Sequence, residues 1–366
     1  MLPATLKDIT APWLNEALHR NGFLKTDNSV ASIKMTTMGV GEGFQSDMAR
    51  ISVQYGRPDA SLPVTMVAKM PTTFEQANYV AMLFNTYERE IRFYREVAGR
   101  SPLRTPGLIY GEFDSEQKRY ALILQDCGCY TQIDQGKGLT EAQLRQTILK
   151  IADFHAHWWN SEDLKSIPWM PGPRSQMAFA LVGFYRECWD IAVNNPDFLA
   201  ALPDGGKEAG LKIYQHYEWM VNDAAPDDNL TITHFDFRAD NLFFDESNPK
   251  DPVVVFDWQA SSMYHGPLDI AYLIGGSVDV ALRRRVEKQM LDTYYARLIE
   301  KGVKNYPFEE CQRDYLGGLL VYAYIPVLAY SRLDISSERA KVLAPLMVQR
   351  HFSAILDNDA LSFLPE

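Results

Sequence analysis

The chain has 366 residues, which is long for one domain, so we expect two lobes or domains. Apolar residues make up 46% of the sequence and aromatic residues 12%, and this composition supports a large buried core. The formal net charge of −11 argues against nucleic acid and against anionic membrane surfaces as partners.

The first residues of the chain have neither the basic region nor the apolar region of a signal peptide. The most apolar stretch, residues 316–329, contains two glycines and a proline, which favours a buried core helix over a membrane span. The four cysteines lack the spacing of a complete zinc site, so reduced thiols are expected. Together these features predict a cytoplasmic protein without a membrane span.

A glycine-rich turn at residues 38–46 separates two strand-like runs, the second of which covers 50–55. Backbone amides at Gly41 and Gly43 can approach phosphate groups closely, and Ser46 adds a hydroxyl. The turn alone is a weak signal, because most such turns bind no nucleotide. It indicates a phosphate-binding loop only in combination with a cationic residue.

Such a residue is Lys69, which interrupts an otherwise apolar strand at 64–70. It is either an edge lysine whose stem lies along apolar surface or a residue that binds the α- and β-phosphates of a nucleotide. A phosphate-binding lysine needs a carboxylate from the next helix. The long helix predicted over 74–98 offers Glu90 at the margin of its apolar stripe, with Glu88 as second choice. We therefore predict an ion pair between Lys69 and Glu90.

A further apolar strand at 120–124 runs into Gln125, Asp126 and Cys127. This segment follows the phosphate-binding elements and occupies the position at which two lobes would be joined. We predict that it is a hinge whose backbone groups contact adenine.

A capping-box pattern at residues 140–143 starts a helix that extends to about residue 159. His155 shares its apolar face and is predicted to be a core histidine close to the polar loop at 234–241. His157, two residues further on, lies on the opposite face, which excludes a metal site shared by the two histidines.

Residues 234–241 are the most informative stretch of the chain. His234, Asp236 and Asn241 have the His-x-Asp-x-x-x-x-Asn spacing of a kinase catalytic loop, and Asp257 lies where a metal-binding aspartate is expected. Asp236 supplies a carboxylate that can take a proton from a hydroxyl, whereas Asn241 and Asp257 supply oxygen ligands for Mg²⁺. The alternative is a polar loop without catalytic function.

The local pattern around this stretch predicts a hairpin. Apolar runs at 242–244 and 253–256 flank a polar turn with two prolines. Because the ends of one hairpin lie close together, we expect Asn241 and Asp257 to converge on one ion.

Asp269 starts another apolar helix soon after Asp257. An aspartate at this position either caps the helix or accepts backbone amides of the catalytic loop. We predict that Asp269 does both.

Taken in chain order, these motifs resemble the aminoglycoside phosphotransferase and choline kinase-like superfamily, and most of all its ecdysteroid kinase-like branch with the bacterial relatives. The resemblance runs from about residue 30 to about residue 275, and the part up to about residue 355 is similar to the helical C-terminal part of the family. The set of motifs is specific as a whole, whereas only the catalytic loop is specific alone. The matching stretches are 41–46, Lys69, 90–94, 125–128, 154–156, 234–241, 257–259 and 269–272.

The resemblance implies an α+β, bilobal protein kinase-like fold, with a mainly β N-lobe over 1–126 and a mainly helical C-lobe over 127–366. It implies ATP and Mg²⁺ as cofactors and a hydroxyl of a small molecule as the acceptor. Its implied roles are Asp236 as base, Arg238 as a cation that stabilises the γ-phosphate, and Asn241 and Asp257 as metal ligands. The implied nucleotide-binding residues are Gly41, Gly43, Ser46, Lys69, Glu90, Gln125, Asp126 and Cys127.

Three departures from the family pattern are visible. Phe235 stands where the family often has glycine, which is expected to tighten the backbone there without removing a catalytic group. Gln125 and Asp126 stand where the hinge often carries Glu-Asp, so the preference between ATP and GTP stays open. A protein-kinase activation loop is missing from the sequence, so a protein substrate is not expected.

Two other functions remain as alternatives. A catalytically silent binding protein with the kinase fold is disfavoured, because the lysine, the base and both metal-ligand positions are filled. A metal-dependent hydrolase is disfavoured by the opposed faces of His155 and His157.

The acceptor is the least determined part of the prediction. An aminoglycoside requires an acidic pocket, whereas a steroid or polyketide alcohol requires an apolar one. The resemblance favours an amphipathic or hydrophobic alcohol, with aminoglycoside and macrolide antibiotics as the alternative. The aromatic residues between Trp158 and Trp189 are candidates for an apolar pocket. The candidates for an acidic pocket are Glu187, Asp190, Asp223, Asp227 and Asp228.

Overall fold

The computed structural model describes residues 1–38, 46–332, 335 and 337–365. The chain divides into two compact units. The first unit comprises residues 1–131 together with 254–260, and the second comprises 132–253 together with 261–366.

An antiparallel sheet is the main element of the first unit. It consists of β1 (Val30–Met38), β2 (Ser46–Tyr55), β3 (Thr65–Pro71), β4 (Leu108–Asp114) and β5 (Arg119–Gln125). The strands lie in the order β1-β2-β3-β5-β4. In the central strand, Lys69 is paired with Met48 of β2 on one side and Leu122 of β5 on the other.

One face of the sheet packs against α1 (Ala11–Arg20). Met66 and Ala68 of β3 are buried in the same apolar cluster as Leu18 of α1. Because successive side chains of a strand point to opposite faces, Lys69 is directed away from this core.

The segment 74–98 differs from the prediction of one long helix. α2 (Glu75–Leu83) is separated from α3 (Thr86–Arg92) by Asn85, whose φ of 53° is left-handed. α3 then continues into a π-helical turn at 93–97. The apolar period continues through these breaks, and asparagine tolerates the left-handed conformation, so the sequence pattern did not reveal the interruption.

The second unit is mainly helical. Residues 316–329 fall into two of its helices, so the single core helix predicted there is wrong in extent, although most of these residues are buried. Among the described residues, no helix is long and apolar enough to cross a membrane. The helices are α4 (Glu141–Trp158), α5 (Gln176–Ala192), α6 (Pro196–Ala201), α7 (Gly206–Asn222), α8 (Pro267–Ser277), α9 (Val280–Glu300), α10 (Phe308–Val321), α11 (Tyr324–Arg332) and α12 (Glu338–Asp357).

Short strands precede and follow residues 234–241 along the chain: β7 (Thr231–Thr233), β8 (Leu242–Phe244), β9 (Val253–Val255) and β10 (Ser262–Tyr264). A further short strand, β6 (Thr131–Gln132), comes before α4. β7 pairs antiparallel with β10, and the catalytic-loop stretch leaves the end of β7. The turn after β8 is closed by the amide of Asp245, which donates to the carbonyl of Pro252 at 2.8 Å. This bond confirms the predicted hairpin turn.

Candidate active site

Lys69 of β3 forms a cluster of three charges with two carboxylates of the first unit. Its Nζ lies 2.8 Å from Glu90 Oε2 and 2.7 Å from Asp257 Oδ1. The side chains of Lys69 and Glu90 are 10% and 3% exposed, whereas that of Asp257 is 22% exposed. The predicted pair between Lys69 and Glu90 is therefore present, and Glu88, the second choice, instead pairs with Arg92 at 2.7 Å.

Two carboxylates and one ammonium leave this cluster with excess negative charge. Burial acts to lower the pKa of Lys69, but the carboxylates of Asp257 and Glu90 outweigh burial and raise that pKa above its ordinary value. Burial raises the pKa of Glu90 to about 7, and the Asp257 carboxylate acts in the same direction. The ammonium group of Lys69 opposes both effects. A second cation beside Asp257 would compensate the excess charge, so the donor set fits a divalent metal ion.

The backbone around Asp257 is held in an unusual conformation. Asp257 has a left-handed φ of 64°, which a residue other than glycine keeps only where its surroundings enforce it. The next residue, Trp258, stacks on Phe93 with ring centroids 3.9 Å apart and planes 7° apart, and both rings are buried. The indole nitrogen of Trp258 donates to the carbonyl of Val255 at 3.1 Å. These contacts fix the turn that directs Asp257 towards Lys69.

The predicted phosphate-binding turn connects β1 and β2. Gly41 and Gly43 fall within 39–45 and lie outside the described residues. Ser46 begins β2, and within the described ranges its buried Oγ has no hydrogen-bond partner. A buried hydroxyl without a partner is suited to a polar ligand. The phosphate-binding role of the three residues stays a prediction.

The predicted hinge residues directly follow or end β5. The amide of Gln125 donates to the carbonyl of Gly107 at 2.8 Å. Asp126 accepts from Arg50 at 2.6 and 3.2 Å, and although burial acts to raise its pKa, Arg50 outweighs burial and holds it below the usual range. Cys127 is buried, and burial raises the pKa of its thiol to about 12. Because Asp126 is paired to Arg50, its side chain is engaged, and the contact of this segment with adenine stays a prediction for its backbone.

The catalytic-loop stretch of the second unit is anchored by Asp269 of α8. The Asp269 carboxylate accepts the amides of His234 at 2.7 Å and of Phe235 at 3.0 Å. It also lies 3.3 Å from Nε2 of His155, whose Nδ1 is 2.9 Å from the hydroxyl of Tyr294. The predicted core position of His155 and the predicted loop-holding contacts of Asp269 are confirmed.

The predicted capping role of Asp269 is wrong. The N-cap of α8 is Gly266, which makes no side-chain cap bond, and Asp269 lies inside the first turn. Its carboxylate points to the loop because two backbone amides are presented there, and these amides compete with the helix terminus for the same oxygens.

Phe235, where the family often has glycine, has a left-handed φ of 62°. Glycine adopts this conformation without a steric penalty, which gives a physical reason for its use at this position. The phenyl ring of Phe235 lies beside Tyr322, with ring centroids 5.7 Å apart. The left-handed φ marks a strained backbone at Phe235.

Three of the predicted site residues lie together in this loop. Nδ2 of Asn241 donates to the carbonyl of Asp236 at 2.8 Å and to its Oδ2 at 3.0 Å. Nε of Arg238 lies 3.3 Å from Asp236 Oδ1, and the Asp236 side chain is 23% exposed. Since the amide nitrogen of Asn241 faces Asp236, its amide oxygen is the atom that would contact a metal ion.

Sequence reasoning missed Asp240 and its partners. Asp240 is bound by Nη1 of Arg238 at 2.7 Å, by the amide of Gln135 at 2.9 Å, and by Nη2 of Arg339, which lies 2.7 Å from both carboxylate oxygens. Burial acts to raise the pKa of Asp240, but Arg238 and Arg339 outweigh it and hold that pKa below the usual value. No sequence pattern links Arg339 to Asp240, because 99 residues separate them.

A pocket beside Phe235 of the 234–241 stretch is lined mainly by apolar side chains. Its volume is about 430 Å³, including its open mouth. Among the described residues that line it there is no carboxylate, and two of the acidic candidates form ion pairs elsewhere, Glu187 with Arg332 and Asp227 with Arg174. The lining residues are Gly172, Ser175, Met177, Ala178, Leu181, Val221, Phe235, Ser262, Met263, Tyr264 and Val321.

The aromatic residues between Trp158 and Trp189, which the sequence suggested for an apolar pocket, are not among the residues that line this one. Trp158, Tyr185 and Trp189 are buried in the core, and Tyr185 stacks on Tyr217 with ring centroids 4.4 Å apart. The pocket instead uses Met177, Ala178 and Leu181 from the N-terminal half of α5. Periodicity identifies apolar residues, but it does not distinguish those that pack from those that line a cavity.

The two histidines of α4 lie on different faces, as predicted, since His155 is buried and His157 is exposed. In the part of the chain that the structure describes, no group of three or more His, Cys, Asp or Glu side chains is arranged to hold a metal ion. All four cysteines are free thiols, as expected.

The model of the ecdysteroid kinase-like family matches residues 40–158 and 196–305, which is more than half of the chain. The chain belongs to the ecdysteroid kinase-like family. The matched ranges contain the Lys69 cluster and the catalytic-loop stretch. A search of curated proteins found no match.

Solved structures with the same fold include three kinases or phosphotransferases. A candidate aminoglycoside phosphotransferase from Ralstonia eutropha JMP134 has a TM-score of 0.57 at 14% identity, over 97% of this chain and 98% of its own. Choline kinase from Cryptosporidium parvum Iowa II has a TM-score of 0.55 at 12% identity, over 89% of each chain. The GDP and kanamycin complex of APH(2")-IIia has a TM-score of 0.51 at 14% identity, over 94% of this chain and 99% of its own.

At such low identities, the TM-scores show a shared fold and nothing more. Together with the antiparallel sheet of the first unit and the helices of the second, they confirm the predicted α+β, kinase-like fold. Membership in the ecdysteroid kinase-like family confirms the predicted class, a small-molecule kinase.

Proposed function

We propose that the chain transfers the γ-phosphate of ATP, in the presence of Mg²⁺, to a hydroxyl group of an amphipathic or hydrophobic small molecule. The observation that carries this proposal is the buried Lys69 ammonium, which lies within 2.8 Å of Glu90 and 2.7 Å of Asp257. A lysine paired with a helix glutamate and placed beside a metal-binding aspartate is the phosphate-binding arrangement of kinases.

Nucleotide binding would use the first unit. Lys69, held by Glu90, would orient the α- and β-phosphates, and the turn at 41–46 would cover them. Among the described residues, the buried Oγ of Ser46 has no hydrogen-bond partner, which supports binding of a polar ligand at the end of this turn. The backbone of 125–127 would contact the base. GDP is bound in one structure of the same fold, which supports a nucleotide but not specifically ATP.

Asn241 and Asp257 are the residues that would hold Mg²⁺. One amide oxygen and one carboxylate suit an ion that keeps several waters and takes its other ligands from phosphate. When bound, the ion would neutralise charge on the β- and γ-phosphates.

Asp236 would act on the acceptor. Its carboxylate would accept the proton of the acceptor hydroxyl, and Asn241 restricts its orientation through the bond of 3.0 Å to Oδ2. Arg238, 3.3 Å from the same carboxylate, would stabilise negative charge on the transferred phosphoryl group. Most of the rate enhancement would come from positioning and electrostatics.

The acceptor would enter the apolar pocket beside Phe235. This pocket is lined by Met177, Leu181, Met263 and Tyr264, and its described lining offers no carboxylate for a polycationic aminoglycoside. Desolvation of an amine in such a pocket is unfavourable, whereas an apolar body gains free energy by burial. The proposal places the reaction in the cytoplasm, where ATP is available and thiols remain reduced.

The experiment is a transfer assay with radiolabelled ATP and Mg²⁺ against aminoglycosides, macrolides, choline, sterols and hydroxyacyl compounds. We expect a phosphorylated product from an apolar alcohol. Leu181→Asp places a charge in the pocket and is expected to abolish this product while leaving Mg-ATP affinity unchanged. Leu211→Asp is the matched control, because Leu211 is 49% exposed on α7.

The outcomes separate the parts of the proposal. Phosphorylation of aminoglycosides alone would overturn the assignment of the acceptor. Failure of the wild type to bind Mg-ATP would overturn the role of Lys69 and Asp257.

A further inference from the structure

Arg339, at the start of α12, belongs to a chain of charged contacts that ends at the catalytic loop. Its Nη2 lies 2.7 Å from both oxygens of Asp240, and Asp240 lies 2.7 Å from Nη1 of Arg238. Nε of Arg238 in turn lies 3.3 Å from Asp236. Four alternating charges from two distant parts of the sequence are therefore connected.

The distances show which partner holds Arg238. Its Nη1 donates to Asp240 at 2.7 Å and to Oε1 of Gln135 at 2.8 Å, whereas its Nε is 3.3–3.4 Å from the Asp236 oxygens. Gln135 is itself fully buried and donates through Nε2 to the carbonyl of Gly276 at 3.2 Å. The guanidinium of Arg238 is thus fixed from the side that faces away from Asp236.

The charge balance of this chain depends on Arg339. With Arg339, two guanidinium groups face the carboxylates of Asp236 and Asp240, and Arg339 also lies 3.7 Å from Asp134, a carboxylate that is 45% exposed and therefore better compensated by water. Without it, Arg238 faces both carboxylates alone, and Asp240 retains a negative charge one residue from Asn241. Asp240 is almost fully buried, at 9% exposure, so water compensates this charge poorly.

We propose that Arg339 is a positioning residue for phosphoryl transfer, which neutralises Asp240 and thereby leaves the charge of Arg238 available beside Asp236. This inference rests on the proposed function, because it assigns Arg339 to the same reaction. Arg339 contacts Asp240 at 2.7 Å, and it acts on the surroundings of Asp236 through Asp240 and Arg238.

The test compares Arg339→Ala and Arg339→Lys with the control Arg186→Ala. Arg186 is matched in exposure, 38% against 37% for Arg339, and it also pairs with a carboxylate, Glu218 at 3.2 Å. We expect Arg339→Ala to lower kcat about tenfold with KM for ATP almost unchanged, as for the loss of one charged hydrogen bond that matters in the transition state. In the wild type a single nitrogen, Nη2 of Arg339, contacts both oxygens of Asp240. The single ammonium nitrogen of Arg339→Lys can make the same two contacts, so this variant should recover most of kcat.

A second readout does not depend on turnover. In protein labelled with ¹⁵N-arginine, the Nε resonance of Arg238 is assigned by its loss in Arg238→Lys. We expect this resonance to move in Arg339→Ala and to stay in place in Arg186→Ala. An unchanged Arg238 resonance, or an unchanged kcat in an active enzyme, would overturn the inference.

The two readouts distinguish this inference from the proposed function. Absence of phosphate transfer by the wild type would contradict the proposed function, while the Arg238 resonance would still decide whether Arg339 positions Arg238. A lowered kcat in Arg186→Ala as large as in Arg339→Ala would also overturn the inference, because it would indicate a general effect of lost surface ion pairs.

Discussion

Nζ of Lys69 lies 2.7 Å from Oδ1 of Asp257, although 188 residues separate them in the chain. Both residues belong to the first compact unit, because the short segment 254–260 joins the sheet-containing part of the chain. The contact therefore places the predicted phosphate-binding lysine and a predicted metal ligand within one unit. Its physical consequence is a cluster of two carboxylates and one ammonium group.

Lys69→Met should weaken Mg-ATP binding at least tenfold, the loss expected for a charged hydrogen bond to phosphate. The fold should persist, because Glu90, whose pKa is raised to about 7 by burial, can take up a proton when its cation is removed. Isothermal titration calorimetry measures the affinity. Lys34→Met, at an exposed position of β1, is the control and should bind as the wild type does. Equal affinities in the two variants would contradict the role of Lys69.

Asp269→Ala should lower the free energy of unfolding by about 3–5 kcal/mol, as for removal of one partner from a buried charged cluster. The reason is that the amides of His234 and Phe235 and the ring of His155 lose their common acceptor. Urea unfolding measures the loss. Asp279→Ala is the matched control, since Asp279 caps α9 and its loss should lower stability by only about 1 kcal/mol. Similar losses in both variants would show that Asp269 is an ordinary helix-end residue.

Phe235→Gly should widen the range of accepted alcohols. Removal of the ring enlarges the pocket, so kcat/KM for a bulky acceptor relative to a small one should rise about tenfold. Phe235→Ala is the paired variant, because it opens the same space but keeps a side chain at a φ of 62°. The glycine variant should therefore be more stable than the alanine variant by about 1 kcal/mol. An unchanged acceptor preference in both variants would place the acceptor elsewhere.

The sequence revealed the features of the fold and of the candidate site to different extents. The strand with Lys69, the helix glutamate and the 234–241 spacing have fixed local patterns, and the sequence was sufficient to pair Lys69 with Glu90. The break at Asn85 was not predicted, because the apolar period of the helix continues across it. The contact between Arg339 and Asp240 has no local signature, and only the packed second unit brings these residues together.

The apolar residues that line the pocket were also not predictable from the sequence. The sequence suggested the aromatic residues between Trp158 and Trp189, yet the structure buries several of them in the core. The residues that line the pocket come from α5 and the segment before it, α7, β10 and the end of α10, together with Phe235. Their convergence depends on tertiary packing, which hydrophobic periodicity along one helix does not encode.

Stability should fall in acid because of His351. This residue is fully enclosed, its Nε2 lies 2.7 Å from the carbonyl of Leu319, and burial lowers its pKa from 6.5 to about 4. Above pH 6.5 the ring is neutral in both states. As the pH falls from 6.5 towards 4, the unfolded chain takes up a proton that the folded chain does not, so stability is lost in this window.

The loss attributable to His351 should be about 2 kcal/mol between pH 7 and pH 5. His351→Gln removes the titrating group, so its free energy of unfolding in urea should change less over this range than that of the wild type. His157→Gln, at an exposed position of α4, should retain the acid sensitivity of the wild type. The same acid sensitivity in His351→Gln and the wild type would contradict the assignment.

The most direct test of phosphoryl transfer by this chain is Asp236→Asn, assayed for transfer of labelled γ-phosphate to an accepted alcohol. The amide keeps the shape of the side chain beside Asn241 and Arg238 but cannot take a proton. The account predicts Mg-ATP affinity close to that of the wild type and a fall in kcat of about 10²–10⁴-fold, while the exposed control Asp228→Asn remains active. Wild-type kcat in Asp236→Asn would contradict the account, because the catalytic base would then be another residue.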